Sequence, residues 1–491
     1  MTDAYGLSSK DTVVAVGTEP GLQANCFHFY FKLQSPHIML QNRNLKYVLL
    51  SLFMSTGLHS AYSQTYPSKW TLQQCIDYAL THNIQVQKSV LSKSQAEADY
   101  EQSRAGLWPT LSASTNQNVS WRPFSESTVN LNGGTFTTSN KEVSYNGSYG
   151  INANWQVWNG GINRQNIKRN KLATEIAAQN VEQTSNNIQE QIVQYYVQIL
   201  YQNEAVTVNK EILEGSKVQR DRAKVMVDVG SLAKADLAQM EAQVSQDEYN
   251  AVNSEVSLAN TKLQLKQLLE LVMLDQFDVV VPLIDDSKVL EPLPSKQEVY
   301  QLARSQRPEI GEAELNVESS KLDVNIAKRG YYPTISLTAG VGTSNSSASD
   351  DAIFRQLKNN MNNTIGLSVS VPIFDGKQNK TNVTKAKLAQ QSSELDLQNA
   401  EQELYAQIET YWLNAKNAQQ QYLYAKSNLE SQESSWELLD AQFSVGLKNI
   451  AELITGKNNL IQARQSLLQA KYTALLNLAL LRFYEGYGMR L

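Results

Sequence analysis

Few residues of this chain are of the types that carry chemistry. Its 491 residues include two cysteines and four histidines, and three of the histidines lie within the first sixty residues. Nucleophilic catalysis, a zinc site or a disulfide framework each needs cysteine, histidine or acidic side chains in recurring groups. The two cysteines, Cys26 and Cys75, and the fourth histidine, His82, form no such group. We therefore expect no catalytic residues, no cofactor, no bound metal and no enzyme activity.

An apolar segment near the start of the chain is typical of a secretory signal peptide. Basic Arg43 and Lys46 precede the apolar run 47–54, and Ala61-Tyr62-Ser63 offers a small-x-small cleavage site. We interpret 39–63 as the signal peptide.

Two further expectations follow from this segment. Residues 1–38 precede Met39, a natural starting methionine, and are interpreted as an over-long gene start. No cysteine follows the apolar run as a lipid attachment point. The mature chain is therefore expected to be exported without a lipid anchor.

The charge balance argues against nucleic acid as a partner. Lys and Arg number 43 against 48 Asp and Glu, which gives a formal net charge of -5. Nucleic-acid binding generally needs a clustered basic surface. No apolar run approaches the roughly 18–20 residues of a spanning helix, so any membrane crossing is expected to use strands.

The chain contains two copies of one design. Gly106-Leu-Trp-Pro-Thr-Leu-Ser112 returns as Gly330-Tyr-Tyr-Pro-Thr-Ile-Ser336, an offset of 224 residues. Further on, Trp158-Asn-Gly-Gly returns as Phe374-Asp-Gly-Lys, an offset of 216. The first copy therefore carries an eight-residue insertion between these motifs. Internal repeats of this kind indicate duplicated structural units, here 64–290 and 291–491.

Each copy contains segments that alternate between apolar and polar residues. The alternation predicts strands at about 110–125, 143–158, 334–346 and 364–374. Each is about as long as a tilted membrane strand. A soluble hairpin packed on a core would also alternate. However, the polar positions are almost wholly Ser, Asn and Gly, as a water-filled lumen would tolerate.

The segments that join each pair of strands are long and polar. They cover about 126–142 and 347–363, at the strand ends away from the helices. We expect both to be loops outside the cell.

Very long helices follow the strands. Apolar residues recur at steps of three and four over about 161–228, 232–270, 376–444 and 449–482, which predicts helices packed lengthwise against other helices. A helix of roughly 65 residues is about 100 Å long. A coiled-coil scaffold would explain these helices but not the four alternating strands.

Four strands cannot close a membrane barrel, because the smallest barrels have about eight. An open edge in lipid would leave backbone groups without hydrogen bonds. Two chains would supply eight strands, and side chains fill the interior of an eight-stranded barrel. Three chains would supply twelve, which can leave an aqueous bore.

The sequence resembles the outer-membrane efflux protein family, the TolC-like channels, over about 68–485. The resemblance rests on the order and duplication of several motifs: the opening Trp70-Thr-Leu-Gln-Gln-Cys-Ile-Asp-Tyr-Ala-Leu-Thr-His-Asn83, two Pro-Thr-x-Ser motifs, Trp158-Asn-Gly-Gly, Phe374-Asp-Gly and two Val-Gly turns.

This resemblance implies an α+β membrane protein. Each of its two repeats would contribute a β-hairpin to a shared trimeric 12-stranded barrel, and its long coiled-coil helices would form a periplasmic tube. It also implies a homotrimer in contact with outer-membrane lipid in a Gram-negative bacterium. Export would be passive, with a periplasmic adaptor protein and a proton-driven or ATP-driven inner-membrane pump as partners.

The resemblance also implies roles for particular residues. In such channels the Val-Gly turns form the periplasmic tip that contacts the adaptor and closes the pore. Carried over to this chain, the tip residues are Val229, Gly230, Ser231, Val445, Gly446 and Leu447. The strand-helix junctions are Pro109, Gly160, Pro333 and Gly376.

Four further residues are gate candidates by the same resemblance. Asp236 and Lys448 match positions of polar links that hold the tip shut, although solvated helix-end charges are an equal alternative. Glu452 matches the position of an acidic ring in the pore. Phe443 lies where a hydrogen-bonding Tyr can occur, so the closed gate of this chain is expected to be held more loosely or differently.

Small-molecule or drug efflux is the preferred function, and the outer-membrane component of a type I protein secretion system is the alternative. A coiled-coil surface scaffold or adhesin is an alternative from a different class. Selectivity in such systems belongs mostly to the pump, so the substrate, pump and adaptor are not predicted.

Overall fold

The computed structural model describes most of the chain, namely residues 67–490 apart from 124–125, 132–133, 140–142, 275 and 283. The predicted signal peptide at 39–63 and the predicted over-long start at 1–38 lie outside the described residues.

Helices make up most of the described chain. They are α1 Leu72–His82, α2 Ile84–Ala105, α3 Ile162–Asp228, α4 Lys234–Leu268, α5 Asp286–Val289, α6 Lys296–Gln306, α7 Pro308–Lys328, α8 Ile353–Asn359, α9 Gln378–Ser444 and α10 Ile450–Tyr484. No helix in the described part of the chain is both long enough and apolar enough to cross a membrane.

The strands of the described residues form three sheets. They are β1 Lys69–Trp70, β2 Thr110–Trp121, β3 Glu126–Leu131, β4 Gly134–Ser139, β5 Val143–Asn159, β6 Asp278–Val279, β7 Thr334–Ser346 and β8 Asn362–Ser370. The largest sheet has the order β2-β5-β7-β8, and all its neighbours are antiparallel. Strand β1 pairs with β6, and β3 pairs with β4.

The two predicted repeats are present in the structure. Helices α3 and α9 are each 67 residues long, and α4 and α10 are each 35 residues long. In each repeat two strands of the large sheet lead into the longer helix, and the shorter helix then packs against it. The predicted fold class, strands of one sheet combined with very long paired helices, is confirmed.

Two strands end earlier than the sequence predicted, and proline explains both differences. Strand β2 ends at Trp121 rather than 125, and Pro123 follows. Strand β8 ends at Ser370 rather than 374, and Pro372 follows. Proline has no backbone N–H to donate and so terminates a ladder.

The two segments predicted as polar loops contain regular structure instead. Within 126–142, β3 and β4 pair as an antiparallel hairpin. In the sequence, segments rich in Thr, Ser and Val flank Asn132-Gly133, a dipeptide typical of hairpin turns. Within 347–363, residues Ile353–Asn359 form helix α8.

Buried apolar side chains follow the predicted helix pattern. Ile192 and Ile199 of α3 and Ile408 and Ala415 of α9 are at most 1% exposed. Ile408 and Ala415 belong to a core cluster with Val299, Ala303, Ile310, Leu404, Leu481 and Tyr484. This cluster joins α6 and α7 to α9 and α10, the two long helices of the same repeat.

A buried ion pair also connects the helices of the two repeats. Lys457 Nζ of α10 lies 2.8 Å from Asp247 Oδ2 of α4, and their side chains are only 7% and 1% exposed. Ser216 Oγ of α3 donates to the same carboxylate oxygen, and Gln243 Nε2 donates to Oδ1 at 2.9 Å. The Asp247 carboxylate is therefore fully hydrogen-bonded, which is the condition under which a buried ion pair is tolerated.

Removal of Lys457 should destabilise the helices around it strongly. Lys457→Met leaves the Asp247 carboxylate buried without its cation, a loss of about 3–5 kcal/mol. Hydrogen–deuterium exchange of detergent-solubilised protein should show correspondingly faster opening of α4 and α10.

An exposed pair in the same chain supplies the control. Lys210 and Glu255 lie 2.6 Å apart with side chains 58% and 49% exposed. Lys210→Met should therefore change stability by only about 0–1 kcal/mol. Replacing both buried partners, Asp247→Leu with Lys457→Met, should recover much of the loss. Equal effects of Lys210→Met and Lys457→Met would contradict the importance of burial.

Candidate functional site

Rows of apolar and of polar side chains alternate across all four strands of the large sheet. One row of paired residues, Leu111, Ala153, Ala339 and Ile365, crosses all four strands on one face. The next row, Ser112, Asn152, Gly340 and Thr364, crosses them on the other. Paired residues of neighbouring strands share a face, so one face is apolar and the other polar.

Neither face carries charge. The four strands β2, β5, β7 and β8 contain no Asp, Glu, Lys, Arg or His. The apolar side chains are largely exposed in the single chain, and Ile365 reaches 84%. An apolar patch of this extent on a protein surface marks a contact with lipid or with another protein.

Aromatic residues lie near both ends of the strands. Tyr145 and Trp121 are near the end away from the long helices, and Trp155 and Trp158 are near the helices. Tyr145 and Trp155 are ten residues apart on β5. A strand tilted by about 40° spans about 25 Å over that distance, the height of the apolar band of a membrane barrel. The arrangement matches the two aromatic girdles of such strands.

Both edges of the large sheet are open. Strands β2 and β8 each pair with one neighbour only, and every β8 residue is exposed. The backbone groups along these edges require partners if the sheet enters lipid.

The predicted strand-helix junctions join strands to helices in both repeats. Pro109 and Pro333 each directly precede a strand, β2 and β7. Gly160 and Gly376 adopt positive φ angles of 67° and 62° before α3 and α9. At Gly160 a Cβ atom would also lie 2.8 Å from the Arg329 carbonyl oxygen, so glycine is required there for both conformation and space.

Sequence reasoning missed the side chains that fasten these junctions. Asn163 Nδ2 donates to the Gly106 carbonyl oxygen at 3.5 Å, and Asn379 Nδ2 donates to the Gly330 carbonyl oxygen at 2.9 Å. The two asparagines are repeat equivalents, as are the two glycines. Conservation of Asn between the two copies was therefore a signal in the sequence.

The predicted tip residues form two equivalent turns. Helix α3 ends before Val229 and α9 before Val445, and Gly230 and Gly446 have φ angles of 78° and 77°. In both turns the residue after the glycine donates its N–H to a carbonyl five residues earlier, at 2.8 Å for Ser231 and 2.9 Å for Leu447. This is the hydrogen bonding of a Schellman helix end.

The tip exposes apolar side chains to solvent. Val229, Val445 and Leu447 are 73%, 69% and 75% exposed. Their exposure makes the turns suitable for contact with another protein.

Phe443 does not share this exposure. Its side chain is 2% exposed and packs with Ala223, Met240, Ile450 and Leu453. These residues come from α3, α4, α9 and α10, so the cluster joins both helical hairpins next to the tip. Arg222 of α3 and Asp440 of α9 add an ion pair at 3.4 Å.

Two of the charged gate candidates, Lys448 and Glu452, pair with each other within the chain. Lys448 Nζ lies 2.7 Å from Glu452 Oε1, one helical turn along the same segment. Glu452 also closes a capping box with Asn449 at the start of α10. Hydrogen bonds from the Lys448 side chain and the Asn449 backbone lower the pKa of Glu452. Within the described part of this chain, Lys448 makes no ion pair with Asp236.

Asp236 is the repeat equivalent of Glu452. Each lies six residues after its tip glycine and in the first turn of its helix. The position equivalent to Asn449 is Ala233, which has no side chain to cap α4. The two tip helices therefore start differently, although their turns match.

The described residues offer little reactive chemistry. Among the described residues, no group of three or more His, Cys, Asp or Glu side chains has the arrangement of a metal site. The Cys75 thiol is fully buried, and burial raises its pKa to about 12. A buried thiol of this kind is unreactive.

Comparison with known proteins identifies the family. The sequence profile described as "Outer membrane efflux protein" matches residues 75–270 and 299–486, and the chain belongs to this family. Proteins of this family are outer-membrane efflux channels rather than enzymes.

Several relatives are similar to most or half of the chain. The cation efflux system protein CusC of Escherichia coli K12 is 24% identical over 418 residues, which cover 82% of this chain and 83% of CusC. The outer membrane protein TolC of the same strain is 25% identical over 276 residues, 53% of each chain. A crystal structure of CusC has a TM-score of 0.71 at 20% identity and covers 85% of this chain and 92% of its own, which shows a shared fold.

The different helix starts at the tip give a testable prediction. Asn449→Ala removes the capping side chain of α10 and should cost about 0.5–2 kcal/mol at the start of that helix. Hydrogen–deuterium exchange of the peptide that covers 449–456 should accelerate.

The first repeat supplies the matched control. Ala233→Asn introduces the missing cap on α4 and should slow exchange at the start of that helix. If both variants left exchange unchanged, capping would not determine the stability of the tip.

Proposed function

We propose that three copies of the chain form one outer-membrane channel that passively exports substrates delivered by an inner-membrane pump through a periplasmic adaptor. The observation that carries the proposal is the four-stranded antiparallel sheet with one apolar face, one uncharged polar face and two open edges.

The open edges require closure between chains. In a trimer, β8 of one protomer pairs with β2 of the next, and the twelve strands leave no edge. Twelve strands also enclose a wider interior than eight strands do. Side chains alone would fill the interior of an eight-stranded barrel.

The two faces then acquire separate roles. The row that contains Leu111 and Ile365 faces lipid, and the row that contains Ser112 and Thr364 lines a water-filled bore. Small neutral side chains along the bore bind no substrate strongly. The strands therefore support passage rather than selection.

The long helices continue the bore into the periplasm. Three copies of α3, α4, α9 and α10 form the wall of a tube, and the two turns at its far end form the periplasmic tip. The exposed Val229, Val445 and Leu447, with Gly230, Gly446 and Ser231, are the proposed contacts for the adaptor.

The proposed cargo is small solutes. The similarity to CusC, a protein named for cation efflux, extends over most of both chains and favours small solutes over secreted proteins. The proposed mature chain follows a cleaved signal peptide and carries no lipid anchor.

Neighbouring residues on opposite faces of β8 test the channel directly. Ile365→Lys puts a charge on the proposed lipid face, which costs about 2–4 kcal/mol at the midplane of a membrane, and should prevent insertion. Thr364→Lys puts the same charge in the bore and should leave insertion intact. Mass photometry of detergent-extracted protein should show trimers for the wild type and Thr364→Lys.

The bore variant has a second readout. Three added lysines should make single channels in planar bilayers more selective for anions, which a shift of the reversal potential in a salt gradient would report. If Ile365→Lys inserted into the membrane and Thr364→Lys did not, the lipid face and the bore face would be reversed. A stable wild-type monomer would remove the argument for a closed barrel.

Asp236 and Lys448 remain gate candidates, with pairing between protomers as the proposal. Lys448→Glu should raise conductance if attraction between these residues helps to hold the tip closed. Exposed pairs contribute only about 0–1 kcal/mol each, but three copies act on one gate.

Two charge exchanges separate the possible partners of Lys448. Addition of Asp236→Lys to Lys448→Glu should restore closure if the pair forms between protomers. Addition of Glu452→Lys instead should restore closure if the pair with Glu452 seen within the chain is the one that matters. Unchanged conductance of Lys448→Glu would mean that Lys448 is a solvated helix-end charge.

A further inference from the structure

Helix α8 lies on the apolar face of the large sheet. Thr343 Oγ1 of β7 donates to the Leu357 carbonyl oxygen of the helix at 2.6 Å. Thr343 alternates along β7 with the same parity as Val341 and Leu337, so its side chain is on the apolar face. After the end of β7 the chain therefore folds back over this face before β8 begins.

Buried polar contacts fasten the helix there. The Gln356 side chain accepts from the Ser346 N–H at 2.8 Å and donates to the Asp351 carbonyl oxygen at 2.7 Å. Asn360 Nδ2 donates to the Ser344 carbonyl oxygen at 2.8 Å. The bonds to Ser346 and Ser344 connect the middle and the C-terminal end of α8 to β7, so the helix has a defined position on the sheet.

An apolar groove of about 340 Å³ lies between the helix and the sheet. Its lining includes Ala113, Tyr149, Ile151 and Val341 from the apolar face, and Leu357 and Met361 from the segment that carries the helix. The groove is open, and apolar surface of this kind is unfavourable in water.

The helix also exposes a large apolar side chain. Phe354 is 87% exposed, and Lys358 follows one turn later. An exposed aromatic ring next to a long basic side chain is typical of helices that lie in a membrane interface, where the amine reaches the headgroups.

The position of the groove indicates what covers it. Tyr149, Ile151 and Val341 belong to β5 and β7, the two central strands of the sheet. Neighbouring protomers of a barrel join at the edge strands β2 and β8, so they leave the centre of the apolar face uncovered. Lipid is the component that contacts that face in the proposed channel.

We propose that α8 is an interfacial helix of the outer leaflet: Phe354 inserts among lipid acyl chains, and an acyl chain occupies the groove beside Met361. The inference rests on the proposed channel, because only a sheet in a membrane presents this face to lipid. It adds a lipid contact at a segment where the sequence indicated a polar loop.

Spin labels on single cysteines test the proposal in trimers reconstituted into vesicles of phosphatidylethanolamine and phosphatidylglycerol. Phe354→Cys reports the exposed apolar position of the helix, and Met361→Cys reports the groove. Ile365→Cys on the apolar face of β8 and Leu447→Cys at the tip are the lipid and water references, and both positions are exposed in the chain. The wild type is the blank, because its Cys75 thiol is fully buried and Cys26 precedes the proposed signal-peptide cleavage site.

The measurement is the accessibility of each label to oxygen, which concentrates in lipid, relative to a water-soluble nickel chelate. We expect the oxygen-to-nickel ratio at 354 and 361 to approach that at 365 and to exceed that at 447 severalfold.

The other outcomes overturn the inference in distinguishable ways. A ratio at 354 and 361 like that at 447, with 365 still in lipid, would place α8 in water and leave the channel intact. Labels at 354 and 361 inaccessible to both reagents would mean that protein covers the helix. A water-like ratio at 365 would overturn the proposed membrane sheet itself.

Discussion

A strand at the edge of a sheet carries a row of backbone N–H and C=O groups, and lipid supplies no water to bond them. The large sheet of this protein has four strands and therefore two such edges. Its apolar face is not packed on a core in the single chain, where Leu111 and Ile365 are 75% and 84% exposed, so this face also requires an apolar partner. Closure with further copies of the chain gives the backbone groups of both edges hydrogen-bond partners. It also places the apolar face in lipid and the polar face in water. The proposed assembly therefore follows from the need to pair these backbone groups.

The long helices have a different requirement: the two helical hairpins must stay in register with each other along their whole length. Helices α3 and α9 have the same length, as do α4 and α10, so the duplicated hairpins end together at matching turns. Apolar packing alone permits helices to slide by a turn. The buried pair of Asp247 and Lys457 bonds one hairpin to the other at a single position, and the cluster around Phe443 does the same next to the tip. The two turns are thereby held side by side while their apolar side chains remain exposed.

Duplication also explains where the two halves differ. The junctions retain the same bonds, from Asn163 to Gly106 and from Asn379 to Gly330, because both must turn a strand into a long helix. At the tip the starts of the shorter helices have diverged: Asn449 caps α10, whereas Ala233 leaves α4 without a side-chain cap. The segments between the strands have diverged most, into the β3–β4 hairpin and helix α8. Divergence is greatest where no shared backbone geometry is required.

The sequence by itself determined the repeats, the four strands, the four long helices and the two glycine turns. Each of these is encoded locally: alternation with period two or 3.6 depends on neighbouring residues, and Gly230 and Gly446 are required by the φ angle of their own turns. The partners of individual side chains were not encoded in that way. Within one chain Lys448 bonds Glu452, Phe443 is buried, and Asp247 meets Lys457 more than two hundred residues along the chain. These contacts depend on how each helix is rotated about its axis and which neighbour it meets, and periodicity specifies neither, so only the tertiary structure decided them.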